Sequence, residues 1–409
     1  MPHILAHAIE IATTILTVAG MGYFFASLLA ARRFLRERRA PRPDCAPVAP
    51  ADRSSSVGWA PGITVLKSLK GLDPGMMDAF RSHCRQQFAG DFELLFGVSS
   101  LDDPAAAAVT ALATEFPERT IHLVECPKRL GTNGKVSTLV QLAAAARYDV
   151  LLINDSDITV GPRYLERVAG GFASAACDAA RTPVGLVTAL YRGRAHGTLA
   201  SRFEALGIAT DFIPGVLLSK WIEGGLHYGL GSTLAVRREA LEKSGGLLAL
   251  VDQLADDYEM GARVARAGYR VVLSTEVVET SVPAYHWRGF FDHQLRWLRT
   301  VRDARPGGYA GLVFTHGLMW ALVNVLASGL SPLSLWLLGL SFFLRLAQAM
   351  AVGAGVLADR SVLANLWLLP LRDAAAMGLW IAGFAGDTIV WRGERFALKD
   401  GRLVKVERD

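Results

Sequence analysis

The chain has 409 residues, of which 51% are hydrophobic, and a formal net charge of +5. That hydrophobic fraction is high for a soluble enzyme, so the composition argues against an entirely soluble protein. The cysteines contain no Cys-x-x-Cys pair, which excludes an obvious zinc site or disulfide framework and fits a reducing cytosol. They stand at Cys45, Cys84, Cys126 and Cys177.

The N-terminal region predicts a transmembrane helix at residues 9–31. Residues 11–31 carry no charge, and about 20 apolar residues span the hydrocarbon core of a bilayer. Residues 32–44 then hold six arginines against Glu37 and Asp44. Basic residues beside a span predict the cytosolic side, so the N-terminus should lie outside. Because the basic residues follow the apolar run, a cleaved signal peptide is disfavoured, and anionic lipid is a better partner than nucleic acid.

A basic juxtamembrane segment and linker, rich in Pro, Ala and Ser, is predicted at 32–61. From residue 62 onward, short apolar runs alternate with helical patterns. Such alternation predicts an α/β fold with a mostly parallel sheet and helices on both faces. The predicted strands are ITVLKSL, FELLFGV, IHLVEC and DVLLIN, and the helices between them are PGMMDAFRSHCRQQF, DPAAAAVTALATEF and NGKVSTLVQLAAAARY.

Two carboxylates, Asp155 and Asp157, follow the strand at 149–154 directly. Ligands of parallel α/β sheets bind beyond the carboxyl ends of the strands, which predicts that this pair faces a crevice. Mg²⁺ prefers one or two protein carboxylates together with substrate phosphate oxygens. The pair therefore suits a divalent cation bound with a nucleotide diphosphate, although a turn or helix cap remains an alternative.

Further polar residues are expected around the same crevice. Asp103 follows an earlier strand, Lys135 begins a helix after a Gly-rich turn, and Asp256 and Asp257 open another helix. Helix starts with free backbone N–H groups suit phosphate, whereas acids there are often only partners of the helix dipole. Arg296 and Trp297 stand on a predicted amphipathic helix, where they alternatively serve as an interface anchor.

In this order, Asp103, the Asp155–Asp157 pair, Asp257 and Arg296-Trp297 resemble the D, DxD, D, (Q/R)xxRW series of inverting family 2-type glycosyltransferases. The stretches LKSLKGLDP, GVSSLDDPA, GTNGKVSTL, GGLLALVDQLADDYEM and WRGERFALKDGRL resemble ceramide glucosyltransferases (family 21) more closely, over residues 10–405. Three features depart from that pattern: His293 replaces Gln or Arg, Asp157 replaces the Gly of the animal enzymes, and residues 206–216 contain no His.

The resemblance implies a GT-A fold and inverting transfer from a UDP-sugar, with Mg²⁺ or Mn²⁺ as cofactor. It makes Asp257 the catalytic base, with Asp256 as the neighbour that could be confused with it. The metal would be held by Asp155 and Asp157. The donor would be bound by Asp103, Lys135, Asp155 and Arg296. The acceptor or product end would be lined by His293 and Trp297.

The C-terminal part predicts further membrane helices at 306–391, after a cytosolic catalytic domain at 62–305 with interfacial helices near its end, and before a tail at 392–409. Residues 306–343 lack charged side chains, and Ser331-Pro332 suggests a turn between two spans. Arg345 should face protein, because a charge exposed to lipid is costly. Arg372 and Asp373 should pair at the boundary, before a last span near 374–390.

Two aromatic-rich segments, 212–226 and 281–291, are expected at the headgroup level of the cytosolic leaflet, where Trp and Tyr are enriched. Core packing is the alternative for both segments. The expected location is a bacterial-type inner (cytoplasmic) membrane, crossed several times, with the catalytic domain in the cytosol. The expected partners are a UDP-sugar, a lipid acceptor and the bilayer, and no nucleic acid.

The function expected from these features is transfer of a hexose to a lipid hydroxyl, from UDP-glucose to ceramide in the first instance. Two alternatives remain within the same chemistry: GlcNAc transfer to a hopanoid polyol, and processive polysaccharide synthesis. A membrane-anchored binding protein that keeps only the fold is the alternative from another class.

Overall fold

The computed structural model describes residues 2–39, 60–173, 182–391, 394–399 and 401–405. The chain divides into two compact units. One contains residues 60–191 and 223–281, and the other contains the described parts of 1–39, 192–222 and 282–405. The sequence predicts one catalytic domain at 62–305, whereas in the structure 192–222 and 282–305 group with the apolar helices. Most of the predicted linker, together with Cys45 and Cys177, lies outside the described residues, and Cys84 and Cys126 are free and buried.

A seven-stranded sheet organises the first unit, in the order β3-β2-β1-β4-β6-β5-β7. Strands β1, β2, β3 and β4 are parallel, as predicted, whereas β6 runs antiparallel to both β4 and β5. The parallel strands are β1 (Ile63–Ser68), β2 (Phe92–Val98), β3 (Ile121–Glu125) and β4 (Val150–Ile153), and the others are β5 (Val184–Ala195), β6 (Leu234–Arg237) and β7 (Arg270–Val282).

Helices cover both faces of the parallel part of the sheet, as predicted. One buried cluster joins strands β1, β2 and β4 to helices α2, α3 and α5. On the opposite face α4 packs so closely that a Cβ on Gly97 would lie 2.5 Å from the Thr138 side chain. The helices described so far are α1 (Pro2–Arg39) of the other unit and α2 (Met76–Cys84), α3 (Pro104–Glu115), α4 (Gly134–Ala145) and α5 (Tyr164–Ala173).

The second unit is mainly helical. Helix α1 begins before the predicted span and continues through the basic cluster to Arg39, and it packs on α7, α12 and α13. The later helices of the chain are α6 (Leu199–Gly207), α7 (Ile213–Ile222), α8 (Arg238–Lys243), α9 (Asp256–Arg266), α10 (Trp287–Ala304), α11 (Pro306–Gly311), α12 (Gly317–Ala327), α13 (Pro332–Ala349), α14 (Ser361–Ala364) and α15 (Leu369–Gly383), of which α8 and α9 belong to the first unit. Two π-helical turns, Ile208–Phe212 and Met350–Val356, and three 3₁₀ turns, Leu247–Leu250, Leu312–Thr315 and Leu366–Leu368, connect them.

Three helices in the described residues are long and apolar enough to cross a membrane: Ala6–Arg39, Leu199–Ile222 and Pro332–Val356. The pair Pro306–Thr315 and Gly317–Ala327, bent by 58°, makes a fourth if it is one span. The segment Leu199–Ile222 includes residues 212–222 of the stretch 212–226 that is expected at the headgroup level. The predicted span near 374–390 is wrong as drawn, because α15 ends at Gly383 and a strand begins at Thr388.

The buried charges among these helices form one network. Arg345 is buried, as predicted, and its guanidinium binds Asp373 at 2.6 Å and Asp211 at 2.6 Å. The predicted pairing of Arg372 with Asp373 is wrong, because Arg372 instead contacts Asp211 at 3.0 Å. Consecutive helical residues point about 100° apart, so neighbours in sequence do not face each other. The predicted turn is confirmed, with Ser331 capping α13.

A three-stranded antiparallel sheet ends the described chain and is attached to α10. Its strands are β8 (Thr388–Trp391), β9 (Glu394–Lys399) and β10 (Arg402–Lys405). Arg299 of α10 donates to the carbonyl oxygens of Thr388 at 2.6 Å and Ala385 at 2.8 Å. The Asp303 carboxylate accepts from the Gly401 N–H at 2.5 Å. The tail region therefore belongs structurally to the helix that carries Arg296 and Trp297.

Candidate functional site

The loop Asp155-Ser156-Asp157 lies at the carboxyl end of β4, as predicted. Strand β4 is fully buried, since all four residues Val150–Ile153 are shielded from solvent. The Asp155 side chain emerges from this core with 44% of its surface exposed. A buried strand that ends in an exposed carboxylate gives Asp155 a rigid base and an open side.

Lys135 provides the positive charge opposite Asp155. Its ammonium lies 2.7 Å from Asp155 Oδ1 and 3.5 Å from Asp256 Oδ2. The turn before it is fixed, because Asn133 caps α4 and its side chain also donates to the Gln253 carbonyl. Burial disfavours the charged lysine, but the carboxylates of Asp155 and Asp256 outweigh burial and raise the pKa of Lys135. The ammonium group of Lys135 therefore stays protonated at neutral pH.

Asp257 lies beside Asp155 on the other side of Gly231. A Cβ built on Gly231 would be 2.9 Å from Asp257 Oδ2 and 3.7 Å from Asp155 Oδ2, so one small residue separates the two carboxylates. Burial and the neighbouring Asp256 raise the pKa of Asp257 to about 6, against the lowering effect of Lys135. Such a carboxylate is ionised at neutral pH and is a stronger base than an ordinary aspartate.

Asp157 is held differently from Asp155. Its Oδ2 accepts hydrogen bonds from Thr280 Oγ1 at 2.6 Å and from the Ser281 N–H at 3.0 Å. Burial and the nearby Asp155 raise the pKa of Asp157, against these hydrogen bonds. The carboxylate thus ties the loop to β7 through one oxygen.

Asp103 organises the loop after β1. It caps α3 by accepting from the Ala105 N–H at 2.9 Å, and both of its oxygens accept from the Gly71 N–H. Two residues after Gly71, the Asp73 carboxylate accepts a hydrogen bond from Ser156 Oγ at 2.5 Å. The segment Gly71–Asp73 thereby connects Asp103 to the loop that carries Asp155.

Two residues of this site, Lys67 and Gly231, were not predicted from the sequence. Lys67 is completely buried and its ammonium donates to the Asp155 carbonyl oxygen at 2.9 Å. Burial lowers the pKa of Lys67 to about 7, against the raising effect of Asp157 and Asp155. A lysine inside the apolar strand ITVLKSL was the available signal for Lys67, whereas nothing local distinguishes Gly231 from other loop glycines.

The residues at this edge fit a divalent cation that takes most of its ligands from a substrate. The described residues contain no group of three or more His, Cys, Asp or Glu side chains arranged to hold a metal on their own. Asp155 offers an exposed carboxylate, and Asp157 lies two residues away. One or two carboxylates plus phosphate oxygens are the usual set for Mg²⁺, so the donor set matches a metal that arrives with a nucleotide diphosphate.

The remaining predicted residues lie on α10, in the helical unit. His293 Nδ1 is 3.1 Å from the carboxylate of Glu204, and its ring contacts those of Tyr285 and Trp297. Trp297 also contacts Phe212, with ring centroids 6.3 Å apart. Arg296 is half-buried on the same helix. His293 and Trp297 are therefore brought together, as their common motif suggests.

The family model described as Glycosyl transferase family 21 matches residues 12–404 of this chain. The chain belongs to glycosyl transferase family 21. Ceramide glucosyltransferase 1 of Caenorhabditis elegans is 22% identical to this family 21 protein over 360 residues, covering 85% of the chain and 74% of the relative. Ceramide glucosyltransferase 3 of the same organism is 24% identical over 350 residues, covering 83% and 73%.

A solved structure shares the fold of this family 21 protein over nearly its whole length. It is a mannosyltransferase of Pyrobaculum calidifontis in complex with GDP-Man and Mn²⁺, 22% identical, with a TM-score of 0.50. The match covers 93% of this chain and 97% of the mannosyltransferase. The GT-A prediction is confirmed for the fold, and the family model identifies the protein as a glycosyltransferase.

Proposed function

We propose that this family 21 glycosyltransferase moves a hexose from a UDP-sugar to the hydroxyl group of a membrane lipid with inversion, and that UDP-glucose and ceramide are its substrates. The observation that carries the proposal is the grouping of three charged side chains: Lys135 binds Asp155, and Asp155 faces Asp257 across Gly231. A cation, an exposed carboxylate and a basic carboxylate at one sheet edge are what a diphosphate leaving group and an attacking hydroxyl require.

Asp257 acts as the base in this proposal. Its carboxylate takes the proton of the lipid hydroxyl as that oxygen forms a bond to the anomeric carbon of the sugar. The bond from the anomeric carbon to the UDP oxygen breaks in the same displacement, and the diphosphate keeps the bonding electrons. Attack on the face opposite the departing diphosphate inverts the anomeric centre, so an α-linked donor gives a β-linked product.

The departing diphosphate is stabilised by positive charge. Lys135, which remains protonated between Asp155 and Asp256, is placed to contact a phosphate oxygen, and Arg296 is assigned to the same task by its motif. A Mg²⁺ or Mn²⁺ ion held by Asp155 and Asp157 would add Lewis-acid stabilisation of the diphosphate. Asp103 is assigned to the uridine portion of the donor by its motif, and in the structure its carboxylate accepts from the Gly71 N–H.

The membrane helices support a lipid acceptor. Within the part of the chain that the structure describes, three helices are long and apolar enough to cross a bilayer. The arginines that end α1 favour a cytosolic position for that end. Trp221 and Trp287, from the two segments assigned to the headgroup level, have 38% and 45% of their surface exposed within the helical unit. Exposed tryptophans of membrane proteins favour the headgroup level, where a lipid hydroxyl lies.

Ceramide is the first choice of acceptor because the C. elegans relatives are ceramide glucosyltransferases. The test uses the purified full chain in lipid nanodiscs containing either ceramide or a hopanoid polyol, with labelled UDP-glucose or UDP-GlcNAc and Mg²⁺ or Mn²⁺. The expected product is β-glucosylceramide, identified by mass spectrometry and by the anomeric coupling in NMR.

Each other outcome contradicts a defined part of the proposal. A hopanoid product without glucosylceramide contradicts the acceptor, and product chains longer than one sugar contradict single transfer. Asp257→Asn should abolish transfer while UDP-sugar still binds; full transfer by this variant contradicts the base. Glu259→Gln is the matched control, because Glu259 lies on the same first turn of α9 and pairs with Arg263 and Arg266 instead.

A further inference from the structure

A carboxylate with no assigned role, Glu204, lies near one end of an apolar helical segment. It belongs to α6 within the candidate span Leu199–Ile222, and its side chain is only 4% exposed. An acidic residue buried in such a segment is costly unless it is paired, and ionisable groups in membrane helices commonly have a functional reason. The buried carboxylate of Glu204 therefore needs a hydrogen-bonding partner.

That partner is His293. Both oxygens of Glu204 lie 3.1 Å from His293 Nδ1, and within the described residues this ring is the one side chain that the carboxylate binds. A carboxylate only accepts hydrogen bonds, so Nδ1 must carry a proton when it faces Glu204. In neutral imidazole the second nitrogen, Nε2, is then left with a lone pair. Glu204 thus selects the tautomer of His293.

The surroundings of His293 hold the ring and leave part of it open. Tyr285 and Trp297 contact the ring with centroid distances of 5.5 and 5.0 Å. The side chain keeps 18% of its surface exposed, and Nε2 makes no hydrogen bond to any residue that the structure describes. An oriented acceptor nitrogen with an exposed edge is suited to a hydroxyl donor from outside the protein.

We propose that Glu204 is a positioning residue that fixes His293 with Nδ1 protonated, so that His293 Nε2 accepts a hydrogen bond from a hydroxyl group of the lipid acceptor. This inference rests on the proposed function, because it assigns His293 to the acceptor end. A Gln at position 293 can present its own carbonyl oxygen, whereas a His requires a carboxylate to orient it.

The experiment is a double-substitution cycle measured with the full chain in nanodiscs. UDP-glucose with ceramide and UDP-GlcNAc with a hopanoid polyol are the two probe pairs, and the pair that gives product is used. Glu204→Ala and His293→Ala should each raise the lipid KM about 3- to 10-fold, the effect of losing one hydrogen bond. The KM for the UDP-sugar should change less than the KM for the lipid in both variants.

The conservative variants separate positioning from a structural role. Glu204→Gln keeps an oxygen acceptor for Nδ1 and should stay within about threefold of the wild-type lipid KM. His293→Gln supplies an acceptor that needs no carboxylate, so adding Glu204→Ala to it should cause no further loss. Asp292→Asn, which removes an exposed carboxylate next to His293, is the matched control and should leave every constant unchanged.

Two results would overturn the inference while leaving the proposed function intact. One is a lipid KM that Glu204→Ala does not change. The other is an equal loss from Glu204→Ala in the wild-type and His293→Gln backgrounds, which is the behaviour of a residue needed only for folding. A wild-type chain that glycosylates neither lipid contradicts the proposed function and, with it, the role of Glu204.

Discussion

Replacing Asp257 with asparagine should abolish sugar transfer and, at the same time, stabilise the protein against unfolding in the absence of metal. Burial and Asp256 raise the pKa of Asp257 from 3.8 to about 6, although Lys135 opposes them. A carboxyl group with a raised pKa stabilises the folded state fully below its unfolded pKa, and this contribution is lost as the pH rises through about 6. At pH 8 the difference between 3.8 and about 6 corresponds to about 3 kcal/mol.

Asparagine has no ionised form and avoids this cost, so the free energy of unfolding at pH 8 should rise by about 1–3 kcal/mol. Its side-chain oxygen can still accept from the Tyr258 N–H, as Asp257 Oδ1 does at 2.8 Å. Loss of the base should lower kcat about 10²- to 10⁴-fold. For the wild type, kcat/KM should fall tenfold for each pH unit below about 6.

The assay is denaturant or thermal unfolding in detergent with EDTA at pH 4.5 and pH 8, together with transfer rates in metal. The stabilisation should be present at pH 8 and small at pH 4.5, where Asp257 is protonated. A variant that is no more stable than the wild type at pH 8, or equally more stable at both pH values, would refute the reasoning about the buried charge. Full activity would refute the role as base.

Three further substitutions test neighbouring parts of the argument. Lys135→Met should move the acid limb of the pH–rate profile to higher pH, because the cation that lowers the pKa of Asp257 is gone. The KM for the UDP-sugar should also rise. An acid limb at the wild-type pH would contradict this effect of Lys135. Gly231→Ala should lower kcat/KM at least about tenfold with little change in melting temperature, because the Cβ of the alanine would lie 2.9 Å from Asp257 Oδ2. Wild-type kinetics of this variant would show that the substrates do not use this space. Arg345→Met should destabilise the helical unit by about 3–5 kcal/mol, because it leaves Asp373 buried and unpaired. Adding Asp373→Asn should restore part of the lost stability in a thermal unfolding assay. Additive losses of stability would contradict direct pairing of the two side chains.

The strands and helices between residues 62 and 154 could be predicted because their signals are local. An apolar run followed by an amphipathic stretch has the same meaning wherever it stands, and capping residues such as Asp103 and Asn133 mark the helix starts. The position of Asp155 at the sheet edge follows from the parallel arrangement alone. The antiparallel placement of β6 was not predicted, because the direction of a short buried strand depends on its pairing with distant segments and leaves no local signal.

The partners of the charged groups depended on contacts between distant parts of the chain. Arg372 and Asp373 are adjacent in sequence, yet each binds a residue elsewhere, because neighbouring positions on a helix face different directions. Glu204 and His293 are 89 positions apart, and neither has a local pattern that indicates the other.

The sequence by itself determined the order of strands and helices between residues 62 and 154, the apolar composition of the two ends, and the residue types available for chemistry, because periodicity, charge and apolar length are properties of neighbouring residues. Only the tertiary structure decided that Lys135 binds Asp155, that Gly231 separates Asp155 from Asp257, and that Lys67 lies buried beneath them. Distances of this kind, and the pKa shifts that burial produces, depend on how the elements pack, and packing brings together residues whose separation along the chain carries no signal.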